Sequence, residues 1–182
     1  MKIVPLDKLL PIKTNLKSPN CYPIRSEKVQ GILLHFDDSS NDVSSLQWFR
    51  DPKCRVSYNR LYFDDGKVAQ ITSSMEQCAW HAGKCRPSND NFTYKGANSA
   101  FYGLAIAADD NDVVTPKQLA SLAADCVAVF QFHGWTKKDL WRITGHDAEA
   151  WTRGRKVDPT GTNPHEPVLR VQAVRDLVEQ KL

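Results

Sequence analysis

Two stretches of this chain, GILLHF and FYGLAIAA, are apolar without alternation. A strand with one wet face reads apolar–polar–apolar, whereas a strand covered on both faces reads as an unbroken apolar run. Such strands sit inside a sheet that is covered on both sides. The segments between them supply helices. Thr115-Pro116 gives an N-cap followed by a proline at the first helical position, and Leu119, Leu122, Ala123, Cys126, Val127 and Phe130 recur at helical spacing up to a stop at Gly134. Pro167 to Leu182 reads as a final helix with Val168, Val171, Val174, Leu177 and Val178 inward. VSSLQWF reads as a short helix capped by Asp42 or Ser44. VSYNRLYFDDGKVAQI reads as a hairpin turning at Asp64-Asp65-Gly66, and LWRITGH as a strand ending at His146. Strands alternating with helices predict a single α/β domain with a central mixed β-sheet flanked by helices.

The 182 residues suit one full-sized core. The net charge of +3 is mild and spread out, so no nucleic-acid stripe is expected. Residues 1–30 are more biased: Lys2, Lys8, Lys13, Lys17, Arg25 and Lys28 stand against Asp7 and Glu27, among four prolines. This segment reads as a basic extended arm, either a solvated leader or an approach to an anionic surface, with the domain proper at 31–182. Pro5, Asp7 and Pro11 interrupt the apolar stretch that a signal peptide needs, and no run reaches membrane-spanning length. The expectation is a monomer made in the cytoplasm, without stable membrane insertion. The five cysteines form no CxxC pair, so Cys78 and Cys85 could be bridged or free, with free thiols expected in a cytosolic chain.

His35 and His146 both end apolar strands beside polar loops, where sites form in α/β sheets. With Asp158 they make a three-ligand set, the count of a catalytic zinc that keeps a fourth position open. Taken alone, a strand-end histidine is more often a structural residue. His133, near a helix C-terminus, is placed to favour the dipole, and His165 is expected to be exposed.

Four ordered stretches change that weighting: GILLHFDDSS, LQWFRDPKCRVSYNRLYFDDGKVAQ, CAWHAGK and ITGHDAEAWTRGRKVDP. Together they resemble the zinc-dependent N-acetylmuramoyl-L-alanine amidases of type 2, the group of phage endolysins, cytosolic wall-recycling amidases and peptidoglycan recognition proteins. The resemblance covers about 18–182. It implies hydrolysis of the amide between N-acetylmuramic acid and L-alanine in peptidoglycan, with a zinc site at the strand ends. His35, His146 and Asp158 would be the ligands, and Lys156 the cation that stabilises the tetrahedral oxyanion. His81 would face the groove and bind the tetrahedral oxygen or the muramyl group. Trp80 would be an apolar wall for substrate, or core, and Trp151 would stand at the groove rim, beside a small insertion around 150–152.

One departure stands out. Many relatives carry a glutamate in the central strand as general base, and here YGLAIAADD puts Ala105 there. Some phage lysozyme-type relatives also lack it and keep a tyrosine with the lysine. VSYN puts Tyr58 in that place, either orienting water or substrate or simply packing in the core. Asp147 and Glu149 are weaker substitutes. An endolysin is the leading expectation. A recycling amidase and a peptidoglycan-binding module without catalysis are the alternatives, the last kept open by Ala105.

Overall fold

The computed structural model describes Leu6 and residues 14–39, 42–163 and 165–182. Lys2, Lys8 and Lys13 of the basic arm lie outside the described residues. The six strands of the main sheet run in the order β1-β5-β4-β7-β3-β8. They are β1 (Thr14–Asn15), β3 (Gly31–Phe36), β4 (Arg60–Tyr62), β5 (Val68–Gln70), β7 (Phe101–Ile106) and β8 (Ile143–Gly145). Strands β4, β7, β3 and β8 are parallel, and β5 turns back antiparallel to β4. The sheet is therefore mixed, as expected, and β3 and β7, the two unbroken apolar runs, are buried along their whole length. Strands β2 (Cys21–Tyr22) and β6 (Cys78–Ala79) form a separate antiparallel pair.

Strand alternation sorts the core into two compartments. Ile32, Leu34 and Phe36 of β3 and Tyr102, Leu104 and Ile106 of β7 join one cluster with Leu122, Cys126, Phe130, Val174 and Val178. These last come from the long helices Pro116–His133 and Val171–Lys181. The first begins as its sequence predicts, with a Thr115–Gln118 capping box and Pro116 in its first turn, and ends at Gly134 with φ 68°. The hairpin turn also forms, with Gly66 at φ 84°. Arg60 is fully buried on the helix side, bonded to Asp125 at 2.8 Å, while Tyr62 donates to the same carboxylate at 2.7 Å.

Three boundaries differ from the sequence reading. Strand β8 is only Ile143–Gly145, because Lys137–Arg142 forms a 3-10 turn closed by a Thr136–Asp139 capping box. The short helix spans Asp42–Arg50, so Asp42 lies within it rather than before it, and the preceding position lies outside the described residues. The last helix starts at Val171 rather than Pro167, because Val168 and Leu169 donate their N–H groups to Thr160 and Pro159 carbonyls.

Residues 14–30 pack into the same unit. Strand β1 extends the sheet, and Leu6 is buried in the helix-side cluster. Arg25 donates to the carbonyls of Asn98, Ser99, Phe101, Met75 and Gln77, so its charge is spent inside the fold. All five cysteines are free. No helix among the described residues is long and apolar enough to cross a membrane.

Candidate metal centre

On the other face of the sheet, small residues stand beside His35. Leu33 and His35 point away from the helices, and their register partners on β7 are Gly103 and Ala105. That choice leaves room for polar side chains. His35 is fully buried and His146 is 2% exposed. Leu34 pairs with Gly145, so His146, the next residue, emerges beside His35, and the two rings lie 4.7 Å apart at 64°. The chain then loops out and returns. Asp147 donates its N–H to the Asp158 carbonyl at 2.7 Å, which closes the loop and brings the Asp158 carboxylate inward, 6% exposed. Asp158 Oδ2 lies 2.8 Å from His35 Nδ1 and 3.0 Å from His146 Nδ1.

The donor set fits a metal ion. All three candidate ligand atoms lie within 4.8 Å of one another, and two imidazoles plus one carboxylate are a zinc-type set. Burial lowers His35 to about 4, against the opposing pull of Asp158, so its ring is neutral near pH 7 and keeps a lone pair. Burial would raise the Asp158 carboxyl, but hydrogen bonds from His146 and His35 outweigh it and hold it well below the usual carboxylate range. His146 stands between two acceptors, Asp158 Oδ2 and the Ala82 carbonyl at 2.8 Å. A neutral imidazole has one proton and satisfies only one of them. A cation at Nδ1 removes that conflict.

The site opens on a groove of about 590 Å³ whose lining includes Asp158, Lys156, Tyr58, Asp37 and Trp48. Lys156 is exposed, on the loop that ends at Asp158. Tyr58 is 8% exposed, with its ring 5.0 Å from that of His35. Burial, followed by the nearby Asp158, Asp37 and Asp38, raises its phenol well above 10, so it stays protonated, and its O–H donates a long bond to the Phe36 carbonyl at 3.5 Å. The structure thus brings His35, His146, Asp158, Lys156 and Tyr58 together.

The other expected residues are placed elsewhere. His81 is 5% exposed and sits behind His35, with its Nδ1 3.0 Å from His35 Nε2. Trp80 borders a separate cavity of about 210 Å³ with Tyr22, Arg55, Gly83 and Asn98, and its ring is tilted against Tyr22 at 5.2 Å. Trp151 is half-buried under the Arg86 guanidinium, 4.1 Å from its ring centroid. Glu149 is consumed by Tyr94, Ser88 and Thr144, and Asp147 by Thr160. His165 is exposed, as expected. His133 bonds Tyr102 at 3.1 Å, and burial with Lys28, Arg25 and Arg142 lowers it to about 4, so it is neutral rather than a cation against the helix end.

Asp37 is the groove residue that sequence reasoning passed over. Burial pushes it up to about 6, while its Oδ1 accepts from the Ala108 N–H at 3.1 Å. The signal was available: Asp37 lies two residues past His35, and strand alternation returns it to the same face.

The sequence matches the family profile described as N-acetylmuramoyl-L-alanine amidase over residues 25–161. No curated protein matches. Among solved structures, the chain is similar to a selenomethionine derivative of AmpD, at 22% identity and TM-score 0.64 over 93% of this chain and 96% of that one. It is similar to the Staphylococcus aureus hydrolase AmiA in complex with its ligand, at 15% identity and TM-score 0.65 over 97% and 86%. The catalytic domain of XlyA aligns at 16% identity and TM-score 0.60 over 91% and 97%. At these identities the likeness establishes a shared fold.

Proposed function

This chain belongs to the N-acetylmuramoyl-L-alanine amidase family, whose reaction is hydrolysis of the amide between N-acetylmuramic acid and L-alanine, and on that premise we propose that it is a zinc-dependent endolysin acting on peptidoglycan. The observation that carries the reading is the convergence of His35, His146 and Asp158 at one end of the groove that Lys156 and Tyr58 line. Zinc held by these three would supply Lewis acidity toward the scissile carbonyl and toward water.

The rest of the chemistry belongs to the chain. The Lys156 ammonium presents a fixed positive charge to the carbonyl oxygen, which becomes negative as the carbon turns tetrahedral. Tyr58 keeps its proton, and exchange of its long 3.5 Å bond to the Phe36 carbonyl for one to the attacking water or the amide would orient that group. Burial of His35 and His146 keeps bulk water away from the ligand side, so charges at the groove end act in a lower dielectric. Ala105 offers no carboxylate, although it is fully buried beside His35 in the adjacent strand. Trp80 and Trp151 would each offer an apolar surface to sugar or peptide, outside the groove that Lys156 lines.

Retention of all three candidate ligands favours catalysis over a binding-only module. The mild positive charge of +3 favours an anionic wall polymer. Lysis of intact sacculi tests the endolysin assignment. Turbidity should fall at least as fast as a soluble muropeptide is cleaved at matched bond concentration. Cleavage of the soluble fragment with no effect on sacculi would instead assign a recycling amidase.

A further inference from the structure

The two candidate ligand histidines turn their far nitrogens toward adjacent residues of one segment. His35 Nε2 lies 3.0 Å from His81 Nδ1, and His146 Nε2 lies 2.8 Å from the Ala82 carbonyl oxygen. With a cation at Nδ1, that nitrogen gives its lone pair to the ion, and the His146 proton sits on Nε2, where the Ala82 carbonyl accepts it. The same requirement falls on His35, whose Nδ1 faces Asp158 at 2.8 Å.

The His81 ring is bonded to His35 through Nδ1. Its ring is 95% out of solvent's reach by residue, at 5% exposure, and it packs edge-on to His35 at 85°. It is seated against Gly103, where a Cβ would stand 2.5 Å from His81 Cγ. The backbone before and after the ring is pinned as well: Asn98 Oδ1 accepts from the N–H groups of both His81 and Ala82, at 3.0 and 2.7 Å. Arg155, three residues before Asp158, donates to the Lys84 carbonyl at 2.8 Å and ties the ligand loop to the same segment.

We propose that His81 is a positioning residue for the metal centre: its Nδ1 accepts the His35 Nε2 proton and so fixes His35 with its Nδ1 lone pair toward the ion, as the Ala82 carbonyl does for His146. This rests on the metal-centre reading above and gives His81 a role behind the ligands rather than on the substrate. Outer-shell partners of this kind hold tautomer and ring orientation, and their loss weakens metal affinity by about 10–100-fold.

The test is the zinc dissociation constant of the purified full chain, read by competition with a chromophoric chelator. His81→Ala should weaken zinc binding by about 10–100-fold. His81→Asn, whose Oδ1 restores an acceptor near the Nδ1 position, should bind within a few-fold of wild type. Gly103→Ala leaves every ligand in place but drives the His81 ring off its seat, and should weaken binding in the same direction. Long-range proton–nitrogen spectra of the zinc-loaded wild type should show His35 protonated at Nε2. A thermal midpoint lowered in His81→Ala with an unchanged zinc constant would overturn the proposal and leave His81 a packing residue. Asn binding as poorly as Ala would also overturn it. A wild-type chain that takes up no zinc would instead overturn the metal-centre reading itself.

Discussion

The two faces of the central sheet carry different kinds of residue from the same strands. Toward the long helices, β3 and β7 present Ile32, Leu34, Phe36, Tyr102, Leu104 and Ile106, which fill space. Toward the groove they present His35, Gly103, Ala105 and Ala107, and the volume that large side chains would occupy goes to His35, His81 and Tyr58. One face is packed for stability, and the other leaves room for polar groups that pair with one another. Burial of a polar group costs free energy unless it is bonded, so the groove face is tolerable only because each imidazole meets a partner. Natural chains accept such costs where function requires them.

Substitutions on each face should therefore fail differently. The largest effect is expected for Asp158→Ala, which removes the carboxylate shared by both histidines; zinc content and amidase activity should both be lost, by elemental analysis and turnover. Full activity with retained zinc would remove Asp158 from the ligand set. Lys156→Met should lower kcat by about 100–1,000-fold with zinc content unchanged, because an oxyanion contact acts only in the transition state. An equal loss of zinc would mean that the lysine shapes the site instead. On the helix face, Leu104→Ala should cost about 2–5 kcal/mol in denaturant unfolding while leaving the zinc constant untouched. A change in zinc affinity there would erase the distinction between the faces.

The smallest effect concerns His133, on the helix-side edge. Its native value is about 4 against 6.5 in the unfolded chain. Between those values the unfolded chain takes up a proton that the native ring refuses, so stability is full above about pH 6.5 and declines as pH falls toward 4. His133→Gln should flatten part of that decline in unfolding measured from pH 7 to 4. An unchanged slope would mean that the ring protonates in place.

The sequence showed the helix face well, because burial on both faces writes itself as unbroken apolar runs and capping writes itself as Thr115-Pro116 and Gly134. His35, His146, Asp158, Lys156 and Tyr58 were legible through four ordered motifs. The placement of His81 was not. Its partner is 46 residues away, and which side of the ligand it reaches depends on how the segment after β6 crosses Gly103. Arg25 was misleading for a related reason: a cation in a Pro-rich leader looks solvated until carbonyls from two segments close around it. The strand at 140–146 was overextended because Leu140, Trp141 and Ile143 are strand formers, and the Thr136–Asp139 cap won locally.

The most direct test of the central claim is the release of new N-terminal L-alanine from purified peptidoglycan, measured with the chain as made, after EDTA, and after zinc is restored. The account predicts alanine N-termini that vanish on chelation and return with zinc, despite alanine at position 105. Wall binding without any such release would contradict it and leave a peptidoglycan-binding protein that has lost its chemistry.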